Sequence, residues 1–218
     1  MTINEAYKLV TDIGNKQQGI GFLTPEIFNT YADRAQMQVV QEHLKVLDQT
    51  QQCTDIMKSL FKEAIINVNF QGWADYPDDY LRFGSMRKYW YSGEIGEDPL
   101  EVPVEEVTNA MWGERVSSQL RKPTYRFPVC TMAMDYFECM PKNIGSVILD
   151  YYGYPVPPKY GYVLVNNRPV YDPATSVQFT IPDEAHNEIC FHICSYLGMT
   201  ITMPMLVQYA DQQAQANH

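Results

Sequence analysis

A chain of 218 residues that is 45% hydrophobic, 19% charged and 13% aromatic is long enough to bury a substantial core and too weakly charged to stay disordered. Its 16 Lys and Arg against 26 Asp and Glu give a formal charge of −10, the opposite of the basic footprint by which proteins displace counterions from phosphates. Composition therefore argues against a nucleic-acid reader, a collagen-like chain and a coiled coil.

The N-terminal stretch from Met1 to Lys8 has no basic region followed by an apolar run, so no secretory signal is expected. Asn4 to Lys16 reads as a first short helix, stopped by the Gly19-Ile20-Gly21 turn. Thr24-Pro25-Glu26 is a strong helix start, because the hydroxyl caps free amides, proline fits the first turn and the acid favours the positive end. Helical spacing from there puts Phe28, Tyr31, Ala32, Ala35, Val39 and Val46 on one face and leaves Asp33, Arg34, Gln36 and Gln41 off it, which predicts an amphipathic helix over 24–48. Ile56, Leu60 and Phe61 predict a further helix over 55–64.

The alternation from Ile66 to Phe70 predicts a strand, and Pro77 to Arg82 a short helix. Short strands are expected over 129–133, 136–140, 146–152 and 160–165, at hairpin spacing and therefore antiparallel. Residues 92–104 and 151–162 read as irregular, proline- and tyrosine-rich excursions. A helix is expected from Pro182 to about Leu197 and a last one over 203–214. Ile189 to Ala210 carries no Asp, Glu, Lys or Arg, but Gly198 and Pro204 divide it into two short core helices instead of a membrane span. The predicted architecture is α+β: an N-terminal long-helix hairpin or bundle, a small antiparallel sheet region and C-terminal helices. Residues 1–64 with 183–218 form the helical core and 65–182 the sheet with irregular loops, all in one continuous domain.

No constellation of catalytic residues emerges. Gly19-Ile20-Gly21 is a turn and not a phosphate loop, and no serine sits in a nucleophile elbow. His186, Cys190, His192 and Cys194 are the best metal candidates, yet helical geometry spreads them over about 12 Å and two faces, so they read as an apolar stripe of Ile189, Cys190, Ile193 and Leu197. The acid pairs Asp78/Asp79, Glu105/Glu106 and Asp183/Glu184 read as helix starts and not as a glycosidase dyad. The five cysteines, Cys53, Cys130, Cys139, Cys190 and Cys194, suit buried free thiols in a reducing compartment. No metal, no cofactor and no enzymatic activity are expected.

The aromatic content, 16 Tyr, 9 Phe and 3 Trp, is the strongest compositional signal. Tyr89-Trp90-Tyr91, Tyr151, Tyr152, Tyr154 and Tyr160 are the candidate protein-interface residues, since tyrosine joins apolar area to a water-tolerant hydroxyl. Subunit contacts are expected between Tyr76 and Tyr171.

The order of several pieces carries a resemblance. Gly21 to Asn29 leading into Tyr31-Ala-Asp-Arg-Ala-Gln36, Tyr76-Pro-Asp-Asp-Tyr80, Arg121-Lys-Pro-Thr-Tyr125, Leu149-Asp-Tyr-Tyr-Gly-Tyr-Pro155, Tyr171-Asp-Pro-Ala-Thr-Ser176 and the helix from Asn187 resemble neck proteins of tailed bacteriophages. Across nearly its whole length the chain looks like the head-to-tail connector, or ring, proteins of crAss-like podoviruses. The resemblance implies a non-enzymatic virion protein, made in the host bacterial cytoplasm. It would form a ring, commonly a dodecamer, in the neck below the portal, contacting the portal and other tail proteins while genome DNA passes without specific binding and with no membrane involved. A hydrolase with an unrecognised site and a small binding module are the competing expectations.

Overall fold

The structure, a computed structural model, describes residues 1–16, 23–47, 55–91 and 99–199, with Met205 and Gln208. The class is mixed α+β, and the chain divides into two compact units: Met1–Leu60 with Pro155–His218, and Phe61–Tyr154. The second is thus an insertion into the first. This differs from the single domain expected above, and residues 155–182 join the helices instead of the sheets.

In the first unit, α1 (Ile3–Lys16) opens with a reciprocal cap: Thr2 N–H donates to Glu5 Oε2 at 2.7 Å and Glu5 N–H to Thr2 Oγ1 at 3.3 Å. Helix α2 (Pro25–Lys45) begins where Thr24 Oγ1 accepts from Ile27 N–H. It buries Phe28, Ala32, Ala35 and Val39 on the expected face. Gln36, expected off that face, is fully buried: its Nε2 donates to Val156 O at 3.0 Å and its Oε1 accepts from Thr180 N–H at 2.8 Å. These bonds, with those between Asn29 and the Tyr160 backbone, tie the segment after Pro155 to α2. A two-stranded ribbon, β9 (Tyr162–Val165) and β10 (Arg168–Tyr171), follows.

An α-helix, α4 (His186–Tyr196), fully buries Ile189, Cys190 and Ile193 of the expected stripe together with Cys194, leaves Leu197 half-buried, and packs against α1 and α2. A hairpin of two long helices is not what the described residues form, since α1 spans 14 residues and α2 spans 21. The turn at Gly19-Ile20-Gly21, residues 92–98 and the helix expected over 203–214, apart from Met205 and Gln208, lie outside the described residues, and the excursion expected over 92–104 is a strand at Leu100–Pro103.

The second unit holds two four-stranded sheets. In the first, the order is β1 (Phe61–Asn67), β8 (Ser146–Gly153), β3 (Tyr80–Trp90), β4 (Leu100–Pro103). In the other it is β2 (Trp73–Asp75), β7 (Tyr136–Met140), β6 (Val129–Met132), β5 (Glu105–Glu106). A short helix, α3 (Asn109–Ser117), joins β5 to β6 and opens just after the Glu105/Glu106 pair. Pairings are antiparallel except β5 with β6, a parallel pair. Met86, Val147, Leu149 and Tyr151 from the first sheet meet Ala74, Cys130, Phe137 and Cys139 from the second in one core.

Of the helix predicted over 55–64, 55–57 are helical and Lys58–Leu60 a 3-10 turn, but from Phe61 the chain is a strand, as it is from Tyr80 in the helix predicted over 77–82. Phe61 to Ala64 pair with Leu149 to Tyr152, and Tyr80 to Arg82 pair with Tyr152 and Gly153. Cross-strand partners far along the chain override the local helical spacing there. Asp78 and Asp79 accordingly sit in the turn before β3, not at a helix start, and Glu105 and Glu106 form β5 ahead of α3. Asp183 and Glu184 do open a short 3-10 turn before α4.

Candidate protein interface

The seven tyrosine and tryptophan candidates do not form one surface. Tyr151 is 5% exposed and Tyr160 is 4% exposed, so both belong to the chain's own cores and neither is open to a partner. Tyr151 stacks near Tyr80 at 6.0 Å and its hydroxyl donates to Asp79 Oδ1 at 2.8 Å. Burial, with the Asp79 carboxylate beside it, pushes that hydroxyl up to about 12. Tyr160 lies in the first unit, 4.3 Å from the Tyr7 ring and 5.2 Å from that of Tyr171. The reading of 151–162 as a free excursion fails for the same reason, because residues 151–153 are β8 and Val156 is bonded to Gln36 and Thr180.

The other five remain accessible in the second unit. Tyr89 and Tyr91 are 47% and 69% exposed. A hydrogen bond to Glu101 raises the Tyr89 hydroxyl above its ordinary value. Trp90, between them, is half-buried with the Arg126 guanidinium 5.3 Å above its ring. Tyr152 meets Phe61 edge-on at 5.4 Å on the outer face of the first sheet, and Tyr154 is exposed just beyond it.

That outer face also carries a charge network the sequence did not suggest. Arg87 bonds Asp150 and Glu63 and reaches Glu101 at 3.5 Å, and Ser85 Oγ donates to Asp150 Oδ2 at 2.6 Å. Apolar residues flank it, with Ile65 70% exposed and Phe61 47%. In the first unit the β9–β10 ribbon exposes Val163, Leu164, Val165 and Val170. Neither group was singled out, because Ile-Ile and Val-Leu-Val runs read equally well as buried strands.

An open cleft of about 190 Å³ lies beside α3, lined by Glu105, Glu106, Met111, Glu114, Arg115 and Arg121. Arg115 is paired with Glu105 at 2.6 Å and also bonds the Arg121 carbonyl, so its charge is answered locally. Among the described residues no group of three or more His, Cys, Asp and Glu could hold a metal ion. His186 is buried with its ring nitrogens 2.8 Å from the carbonyl oxygens of Met1 and Ile181, and His192 lies 3.4 Å from Glu42. Burial raises the Cys190 thiol and pushes that of Cys194 up to about 12, which makes both inert packing groups. No helix among the described residues is long and apolar enough to cross a membrane. No protein-family model and no curated protein matches the chain.

Proposed function

We propose that this chain is a structural virion protein, the subunit of a ring-forming head-to-tail connector that sits between portal and tail and surrounds the DNA channel. The ordered pieces from Gly21 to Ser176 that resemble phage neck proteins suggest this role. The observation that carries it furthest is the exposure of large apolar side chains at strand positions, Phe61, Ile65 and Leu164 above all. Such side chains on accessible strands mark contact surfaces with other proteins. A formal charge of −10 fits a channel that lets DNA slide past without adhering. Of the candidate tyrosines, Tyr89, Tyr91, Tyr152 and Tyr154 are the ones at the surface for contacts to neighbouring subunits, the portal or tail proteins. Native mass spectrometry with negative-stain microscopy of the purified chain tests the reading. Closed rings, twelvefold by the resemblance, are expected, and a chain that stays monomeric at every concentration and with added portal overturns it.

A further inference from the structure

Two strand edges of this chain are open in ways that suit them to each other. Asn166 and Asn167, at φ 49° and 63°, make the tight turn between β9 and β10, with Val165 opposite Arg168. The bond from Asp172 N–H to Gly161 O, 2.9 Å, sets the phase of the ladder. Val163 and Val165 bond inward to β10, while Tyr162 and Leu164 turn their N–H and C=O groups outward. On β10 the outward positions are Pro169 and Tyr171. Proline has no N–H to offer, so the β10 edge is blunted and the β9 edge is not. Val163 and Leu164 point to opposite faces of the ribbon and are 49% and 65% exposed, so both faces are apolar and wet. The ribbon has no third strand among the described residues, and two strands alone are marginal in water.

The matching edge is β1. Of the described sheet edges, β5 is 2 residues, β2 is 3, and β4 ends in Pro103, whereas β1 runs 7 residues without a proline. It pairs with β8 on one side only and carries the exposed Ile65 and Phe61. A long apolar edge of this kind is a template for another strand.

We propose that β9 of one copy pairs with β1 of a second copy of this chain and extends its four-stranded sheet. Charge selects that occupant. From Tyr162 to Tyr171 the ribbon carries Arg168 and no acid; β1 carries Lys62 and Glu63, which pair with Asp79 and Arg87, so the complementary charge is that of the whole chain, at −10. The ribbon is therefore a cationic apolar element complementary to another copy of this acidic chain. The contact joins two different surfaces, so every copy offers one of each, and repetition generates a ring when the rotation closes. The inference rests on the ring reading and supplies its contact.

Two variants test it. Leu164→Pro deletes the outward N–H at the centre of β9, leaving that of Tyr162, and mirrors Pro169 across the ribbon, so the β9–β10 bonds remain. It should keep the circular-dichroism spectrum and melting curve of the wild type yet need at least tenfold higher concentration to assemble in native mass spectrometry. A full-length chain with Ile65→Cys and Leu164→Cys together should give a ladder of disulfide-linked multimers on mild oxidation, and neither single variant should. If Leu164→Pro assembles like the wild type and the double variant gives no ladder, or a cross-link confined to the monomer band, the pairing is wrong while the ring reading stands. A wild-type chain that never assembles overturns both.

Discussion

Gln36 sits fully buried in a helix face that its polarity should exclude, and both ends of its amide are used on backbone groups of a segment far along the chain. Replacing it by Leu keeps the helix and the volume but strips the Thr180 N–H of its partner. Leaving a buried donor unpaired costs about 1–3 kcal/mol, so Gln36→Leu should melt several degrees below the wild type in calorimetry. Asp79 has a comparable role in the inserted unit. Hydrogen bonds from Lys62 and Tyr151 hold its carboxyl below the usual 3.8. A depressed carboxylate stabilises the fold fully above its unfolded value and loses that contribution as pH falls through the lower folded value. Solvent screening at this partly exposed pair limits the effect to about 0.5–1 kcal/mol. Asp79→Asn should therefore melt below the wild type near pH 7, and the two curves should converge as pH drops below 3.8. A difference that persists unchanged in acid would show that the charge is not the cause.

Elements that depend on local chemistry were the legible ones. Thr24, Pro25 and Glu26 mark the start of α2 within a residue, and the short strands β6, β7 and β8 fall close to the expected ranges. The cap should be measurable: Thr24→Ala should lower stability by about 1 kcal/mol in urea titration at unchanged slope. The misread stretches, 61–64 and 80–82, are those whose partners are distant, since β8 pairs with both β1 and β3. Helical periodicity in ten residues carries no information about a strand arriving from far along the chain. The candidate interface was half legible for a related reason. Composition reveals an excess of tyrosine but not its side of the sheet, so Tyr89 and Tyr91 are open while Tyr151, one position from the half-buried Tyr152, belongs to the core.

For the whole molecule, net charge is the property that survives any detail of packing. One cationic cluster in the sequence, Arg115, Arg121, Lys122 and Arg126, runs against that total, but Arg115 is paired with Glu105 in a cleft that Glu106 and Glu114 also line, and Arg126 stacks on Trp90. Fluorescence anisotropy with labelled duplex DNA near ~150 mM salt should show no binding at micromolar protein, because no net release of counterions drives it. Binding that weakens steeply with added salt would mean the cluster acts independently of the total charge.

The insertion begins and ends on neighbouring strands, with Phe61 opposite Tyr152. Until that pairing forms, the two stretches that build the helical unit are the ends of a long, floppy tether. Once it forms, they emerge about one strand spacing, ~5 Å, apart. Loop-closure entropy grows with the logarithm of tether length, so early closure of β1 on β8 removes most of the cost of bringing α2 and α4 together. The unit in the middle of the chain thereby sets the pace for the unit made from its ends. Weakening β1–β8, for example by Leu149→Ala, should slow the refolding of the helices in stopped-flow circular dichroism, even though Leu149 belongs to the other core.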